Sequence, residues 1–189
     1  MPTDEVRVIE GLQVTSRTRT AIDVAAHSDL LGATVIMDAA AATEGVDALA
    51  ESVEARRPFR GVRRIDAAMS CVTGRAESPL ESLSMLRFAQ FGLPRPEQQH
   101  EFRVAGRTYR VDFYWPEFDV IGEADGLGKY EADAAALMRE KRREDDLRSV
   151  VTGFARWEWE HAWRSDPLAE RLARAGLRPD RAKSPKPRG

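Results

Sequence analysis

Cysteine is almost absent from this 189-residue sequence, which contains only Cys71. A single cysteine excludes an internal disulfide and favours a reducing, cytoplasmic location. Histidine is also scarce, with three residues, and none has the spacing of a structural zinc site. The sequence has no run of about 18 apolar residues and no basic and apolar signal sequence at its start, so we expect neither a membrane span nor a signal peptide.

A large net charge is also missing, since the formal net charge of the whole chain is only −2. The distribution is uneven, however. From Arg164 to the end there are eight lysines and arginines against three acids, a local charge of about +5. The segment 166–189 is predicted to form a short helix at 166–175 and a basic, disordered tail. This end suits an anionic partner, although net charge alone does not identify one.

The first part of the chain, residues 1–75, is predicted to be a small and mostly helical segment. An alternating stretch with a glycine turn at 5–14 predicts a hairpin. Thr15 or Ser16 is placed to cap the helix that follows. Residues 30–71 are rich in alanine, leucine and methionine at helical spacing, which predicts two or three packed helices.

Residues 76–165 have the pattern of an α/β domain. A helix is predicted to begin at Ser78, the N-cap of a capping box that Glu81 completes. Further along, the pattern predicts strands at about 100–105, 107–114 and 118–124, a helix at 131–150, and an aromatic strand from Gly153 in the sequence GFARWEWEHAW. Because a long helix between two strands is a crossover connection, we expect a mixed β-sheet flanked by helices.

The last predicted strand is rich in aromatic residues. Strand alternation would place Phe154 on one face and Trp157, Trp159 and Trp163 on the other. Packing into a core is the default role of such side chains, and stacking on nucleobases is the alternative.

Three acidic residues suggest a metal site. Asp112 and Glu123 lie on two strands joined by a tight turn, which would present both carboxylates on one face. Mg²⁺ prefers oxygen ligands and needs only one or two carboxylates, because it keeps several waters. A metal held there would polarise a phosphodiester and lower the pKa of an attacking water. Glu81 on the preceding helix could complete the shell.

The same acids also fit purely structural roles. Asp112 and Glu123 could form salt bridges with Arg110 and Arg148, since charged residues are common on exposed strands. The capping box alone accounts for Glu81. Asp125 is either a metal ligand or part of a turn dipeptide with the glycine after it. The residue pattern leaves these alternatives open.

The stretches ESPLES, VDFYWPEFDVIGEADG and REKRREDDLRSVVTGFARWEW resemble the PD-(D/E)XK nuclease superfamily. More narrowly, they resemble a bacterial domain of unknown function related to very-short-patch repair endonucleases. This resemblance, over about residues 76–163, implies a restriction-endonuclease-like fold. It also implies an Mg²⁺- or Mn²⁺-dependent site formed by Asp112, Glu123 and Glu81.

One element departs from the superfamily pattern, which ends in Glu-x-Lys. Here the corresponding residues are Glu123, Ala124 and Asp125, although Glu-x-Asp-Gly is the usual form in the narrower family. The catalytic lysine is then either Lys129 or Lys141, with Lys129 preferred, and Asp125 is a candidate third metal ligand.

DNA is the partner that this resemblance implies. Arg142, Arg148 and Arg156 are the predicted DNA contacts, and the alternative for the charged helix is near-neighbour ion pairs such as Glu144 with Arg148. We therefore predict a metal-dependent DNA endonuclease of repair or phage defence. Alanine at position 112 or 123 is expected to abolish cleavage without loss of folding, because both positions are predicted to lie outside the core.

A non-catalytic module that binds DNA or a protein partner is the alternative function. Residues 5–30 resemble the segment that follows a winged helix in longer actinobacterial proteins, which are similar to abortive-infection-type antitoxins. That resemblance implies a toxin–antitoxin or defence context, and the winged helix itself is not expected in this chain.

Overall fold

A computed structural model describes residues 5–126 and 134–179. The candidate lysine Lys129 and most of the predicted basic tail lie outside these residues. The chain divides into two compact units, Met1–Leu86 and Arg87–Gly189. Each unit is described by itself below. Within the described ranges, no helix is both long enough and apolar enough to cross a membrane.

The first unit begins with the predicted hairpin, followed by helices. Its elements are β1 (Val6–Ile9), β2 (Leu12–Thr15), α1 (Arg17–His27), α2 (Leu30–Glu44), α3 (Val46–Glu54) and α4 (Val62–Met69), and α5 (Pro79–Gln90) starts in it. Ser16 caps α1, since its Oγ accepts a hydrogen bond from the Arg19 N–H at 3.2 Å. The predicted hairpin and the helices of residues 30–71 are confirmed. Cys71 is buried.

A buried aspartate fixes the start of α5. Asp38 is 3% exposed, and its carboxylate accepts the N–H groups of Thr73 and Gly74 at 2.9 and 2.7 Å. Its other oxygen accepts the hydroxyl of Ser82 at 2.8 Å. These bonds satisfy backbone donors that would otherwise be buried without a partner, and they hold the segment before α5.

The second unit contains a four-stranded mixed sheet. Its elements are β3 (Glu97–Val104), β4 (Arg107–Trp115), β5 (Val120–Asp125), α6 (Ala134–Arg148), β6 (Gly153–Glu158), α7 (Trp159–Arg164) and α8 (Asp166–Arg174). The strand order is β3-β4-β5-β6, with antiparallel pairs except for the parallel pair β5 and β6. The connection from β5 to β6 contains α6. The predicted α/β fold with a mixed sheet and flanking helices is therefore confirmed.

The two faces of this sheet carry different cores. One face packs aromatic rings, and Phe88 makes edge contacts at 4.9–5.7 Å with Phe113, Trp115 and Trp157. The other face buries Val111, Ile121 and Leu147. Because side chains alternate along β5, Ile121 and Glu123 share the second face, while Gly122 lies against the aromatic face.

The predicted aromatic strand is wrong beyond Glu158. The chain turns there into α7, because the Glu158 carboxylate accepts the third backbone N–H of the helix and its own N–H donates to His161 Nδ1 at 3.2 Å. Trp157 is buried on the sheet. Trp159 and Trp163 are 36% and 53% exposed, and their rings stack at 6.0 Å. They therefore do not share the predicted strand face with Trp157.

Gly122→Ala is expected to destabilise the second unit by about 1–3 kcal/mol, the usual cost of overpacking a core. A Cβ at this position would lie 2.7 Å from Trp157 and 2.9 Å from Trp115, where rings fill the space. Gly126→Ala is the matched control, because among the described residues, its chain neighbour aside, no atom lies within 4 Å of its added Cβ. Urea denaturation of the two variants measures the difference, and equal stabilities would contradict the packing argument.

Candidate functional site

Two neighbouring strands bring Asp112 and Glu123 together. The register of β4 and β5 pairs Phe113 with Gly122, and the two acids are the next residues along each strand. Asp112 Oδ2 accepts the N–H of Ala124 at 2.8 Å, which holds this carboxylate against β5. The negative charge of Asp112 also contributes to raising the pKa of Glu123, so the two acids interact electrostatically.

Glu123 is a buried carboxylate. Its residue is 6% exposed, and burial raises its pKa above the ordinary value, although a neighbouring guanidinium opposes this shift. That guanidinium belongs to Arg143, which donates to both oxygens at 2.7 and 3.1 Å. The expectation that position 123 lies outside the core is therefore wrong, because the strand that carries it is covered on this face.

Arg143 is the residue that sequence reasoning missed. It lies on α6, and besides its bonds to Glu123 it donates to the carbonyl oxygen of Arg110 at 2.9 Å. Its Nη1 also lies 3.4 Å from Glu140. The sequence suggested Arg110 and Arg148 as partners of the two acids. A charged helix with no single apolar face gives no signal for which arginine turns inward.

Arg156 connects Glu123 to further acids. The parallel register pairs Arg156 with Glu123, and the closest approach of their charged groups is 3.9 Å. Its guanidinium lies 3.2 Å from Asp125, 2.7 Å from Glu140 and 3.3 Å from Glu144. In this arrangement Arg156, predicted to contact DNA, is held among carboxylates. Its DNA contact stays a prediction.

The surrounding charges form what we call the acidic cluster. Its members are Asp112, Glu123, Asp125, Glu140, Glu144, Arg143, Arg148 and Arg156. It contains five carboxylates and three guanidinium groups. Partly buried carboxylates favour a divalent cation, because water screens their charges poorly.

The residues fit a metal with few protein ligands. Asp112 and Glu123 supply two carboxylates, which is enough for Mg²⁺ when waters complete the octahedron. Within residues 5–126 and 134–179, no three or more acidic, histidine or cysteine side chains converge in a way that could hold a metal. These described residues therefore contain no metal site in which protein side chains supply all the ligands. Asp125 is turned to Arg156 at 3.2 Å, and its ligand role stays a prediction.

Glu81 lies in the first turn of α5, in the first unit. Its carboxylate accepts the Ser78 hydroxyl at 2.9 Å and the Glu77 N–H at 3.1 Å, while its own N–H donates to Ser78 Oγ. The predicted cap at Ser78 is confirmed. These local hydrogen bonds account for the buried carboxylate without any catalytic role. A catalytic role for Glu81 stays a prediction.

The other predicted cations lie on α6. Lys141 and Arg142 are exposed on this helix. Arg148 pairs with Glu144 at 2.7 Å, as the near-neighbour alternative predicted, and its guanidinium lies 4.5 Å above the ring of Phe154. An exposed ion pair contributes little to stability, so a phosphate could compete for Arg148 at small cost.

In a comparison with known proteins, the chain is similar to two curated proteins of Mycobacterium tuberculosis. They are named Uncharacterized protein MT2308, of strain CDC 1551 / Oshkosh, and Uncharacterized protein Rv2248, of strain ATCC 25618 / H37Rv. Each is 32% identical over 142 residues, which cover 71% of this chain and 51% of the relative. The chain thus spans about half the length of the curated relatives it matches. No family model and no solved structure matches the chain.

Proposed function

We propose that the second unit is a metal-dependent DNA endonuclease domain with a restriction-endonuclease-like sheet. The observation that carries the proposal is the pairing of Asp112 and Glu123 on adjacent strands, where the two carboxylates interact electrostatically. Two adjacent carboxylates are a suitable donor set for Mg²⁺ or Mn²⁺. The setting proposed is cytoplasmic DNA repair or phage defence.

The side chains would act in distinct ways. Asp112 and Glu123 would hold the metal, with Asp125 as a candidate third ligand. When bound, the metal supplies Lewis-acid polarisation of the phosphodiester and lowers the pKa of water. Lys129 or Lys141 would stabilise the charge that develops on the phosphate. Arg142, Arg148 and Arg156 would hold the DNA backbone, because guanidinium groups bind phosphates through paired hydrogen bonds.

A non-catalytic DNA- or partner-binding module is the second candidate. The specific observation in its favour is that both oxygens of Glu123 already accept hydrogen bonds from Arg143. A nuclease-like sheet whose metal position is taken by an arginine could bind DNA, or a protein of a toxin–antitoxin system, without cutting.

Purified protein incubated with supercoiled plasmid DNA separates the two candidates. We expect nicked or linear products with Mg²⁺ or Mn²⁺ and none in EDTA, since the proposed chemistry needs a Lewis acid. Isothermal titration with Mn²⁺ should give a site that is lost in Asp112→Asn. DNA binding without cleavage in any divalent metal would reject the nuclease and favour the binding module.

A further inference from the structure

A second charged feature adjoins the acidic cluster, which we call the arginine cleft. It is an open cleft of about 460 Å³ between β4 and α6, lined by Arg107, Tyr109, Ala136, Arg139, Glu140, Arg142 and Arg143. Four of its seven lining residues are arginines and one is an acid. That acid, Glu140, is matched by Arg156 at 2.7 Å, and the exposed Arg139 and Arg142 add two positive charges to the cleft.

Two of these arginines are available to a ligand. Arg139 and Arg142 are exposed, and neither forms an ion pair with any residue of the described ranges. Arg107 is mostly exposed and lies 4.0 Å from Asp146, at the limit of an ion pair. The Tyr109 hydroxyl donates to the same aspartate at 2.5 Å. Such a set suits an anion with several oxygens.

Arg143 belongs to both features. It lines the arginine cleft, and it also donates to both oxygens of Glu123. A phosphate in the cleft would offer this guanidinium a second anionic partner. Glu123 would then be left as a buried carboxylate without its bidentate partner, which is costly unless another cation replaces the arginine.

We propose that the arginine cleft binds a phosphate of the DNA backbone, and that Arg143 turns from Glu123 to this phosphate and so frees Glu123 for the metal. The proposal rests on the proposed nuclease function and adds an order of events to it, in which DNA draws Arg143 away before the metal binds Glu123. DNA and metal then favour each other's binding, because each relieves the cost that the other creates. Such linkage is reciprocal, so metal raises the affinity for DNA by the same factor as DNA raises the affinity for metal.

The cleft is tested without catalysis, by fluorescence anisotropy of a labelled duplex DNA in EDTA. We expect Arg139→Ala and Arg142→Ala each to weaken binding and to reduce the slope of log affinity against log salt by about 0.9, the value of one phosphate contact. Arg63→Ala, an exposed arginine of α4 in the first unit, removes the same charge elsewhere and should leave binding unchanged. Wild-type affinity in both cleft variants would overturn the assignment. Release of the DNA by inorganic phosphate at equal ionic strength would also overturn it, in favour of a small phosphate ligand.

The coupling through Arg143 is tested by repeating the titration in Ca²⁺, with the DNA checked for integrity on a gel. We expect Ca²⁺ to raise the DNA affinity of the wild type at least about fivefold, within the usual range of coupling between sites. Arg143→Met should remove this increase, because the methionine neither holds Glu123 nor reaches the phosphate. An equal increase in both proteins would overturn the coupling and leave the nuclease proposal to its own test. Binding in the cleft with no metal bound under any condition would overturn the coupling and the nuclease function together, while supporting the cleft.

Discussion

Asp112→Asn is expected to lower metal-dependent DNA cleavage by at least about 10³-fold. Asparagine removes the negative charge that the metal needs, and a loss of about 4 kcal/mol of stabilisation corresponds to that factor in rate. In the wild type the Ala124 N–H donates to Asp112 Oδ2 at 2.8 Å. The amide oxygen of the asparagine can accept the same hydrogen bond. Stability in urea should therefore change by less than about 0.5 kcal/mol, the usual range for a change that removes no packing or backbone bond.

Two readouts make this result specific to the site. Cleavage is measured on plasmid DNA, and Mn²⁺ binding is measured by calorimetry on the same preparation. Glu117→Gln is the matched control, because it removes an exposed carboxylate from the turn between β4 and β5 and should keep full activity. Full cleavage by the Asp112 variant would show that the reaction occurs elsewhere. Lost cleavage with wild-type Mn²⁺ affinity would show that Asp112 is not a ligand.

The hairpin that carries the candidate site follows from the sequence, because two alternating stretches flank a proline-containing turn. Its register does not follow from the predicted turn at Pro116 and Glu117, which would bring Asp112 opposite Ile121. The turn instead spans residues 116–119, so Trp115 faces Val120, Phe113 faces Gly122, and Asp112 comes beside Glu123.

The partner of Glu123 could not be predicted in the same way. Arg143 is separated from Glu123 by 20 residues and lies on a helix with charges on most of its surface. The choice among its arginines depends on how α6 rotates against the sheet, where Leu147 is the buried anchor. That rotation is a tertiary property, and near-neighbour ion pairs on the helix give no information about it.

The sequence did not predict that β6 ends at Glu158 and that α7 follows it, and the reason is local. The alternation of tryptophan and glutamate in RWEWE fits a strand, and it continues past the point where the strand ends. Glu158 and His161 form a reciprocal cap that starts a helix there, but neither residue type is among the strongest capping signals. The cap therefore decides between two structures that periodicity alone does not separate.

Glu123→Ala is expected to destabilise the second unit by about 3 kcal/mol, the lower end of the cost of breaking a buried ion pair. The lower end applies because Arg143 keeps the carbonyl of Arg110 and the carboxylate of Glu140. This variant is therefore a poor test of catalysis, since loss of activity could follow from loss of folding. Equilibrium urea denaturation measures the effect.

A double variant that combines Glu123→Ala with Arg143→Met measures the interaction between Glu123 and Arg143. Removing both charges leaves no unpaired guanidinium, so the double variant should recover much of the stability, with a coupling energy of about 2 kcal/mol. Glu170→Ala provides the comparison, because its partner Arg174 is exposed and this pair should contribute almost nothing. If the two single changes were additive, Arg143 would not be bound to Glu123 in solution. The carboxylate would then be open to a cation without any displacement of the arginine.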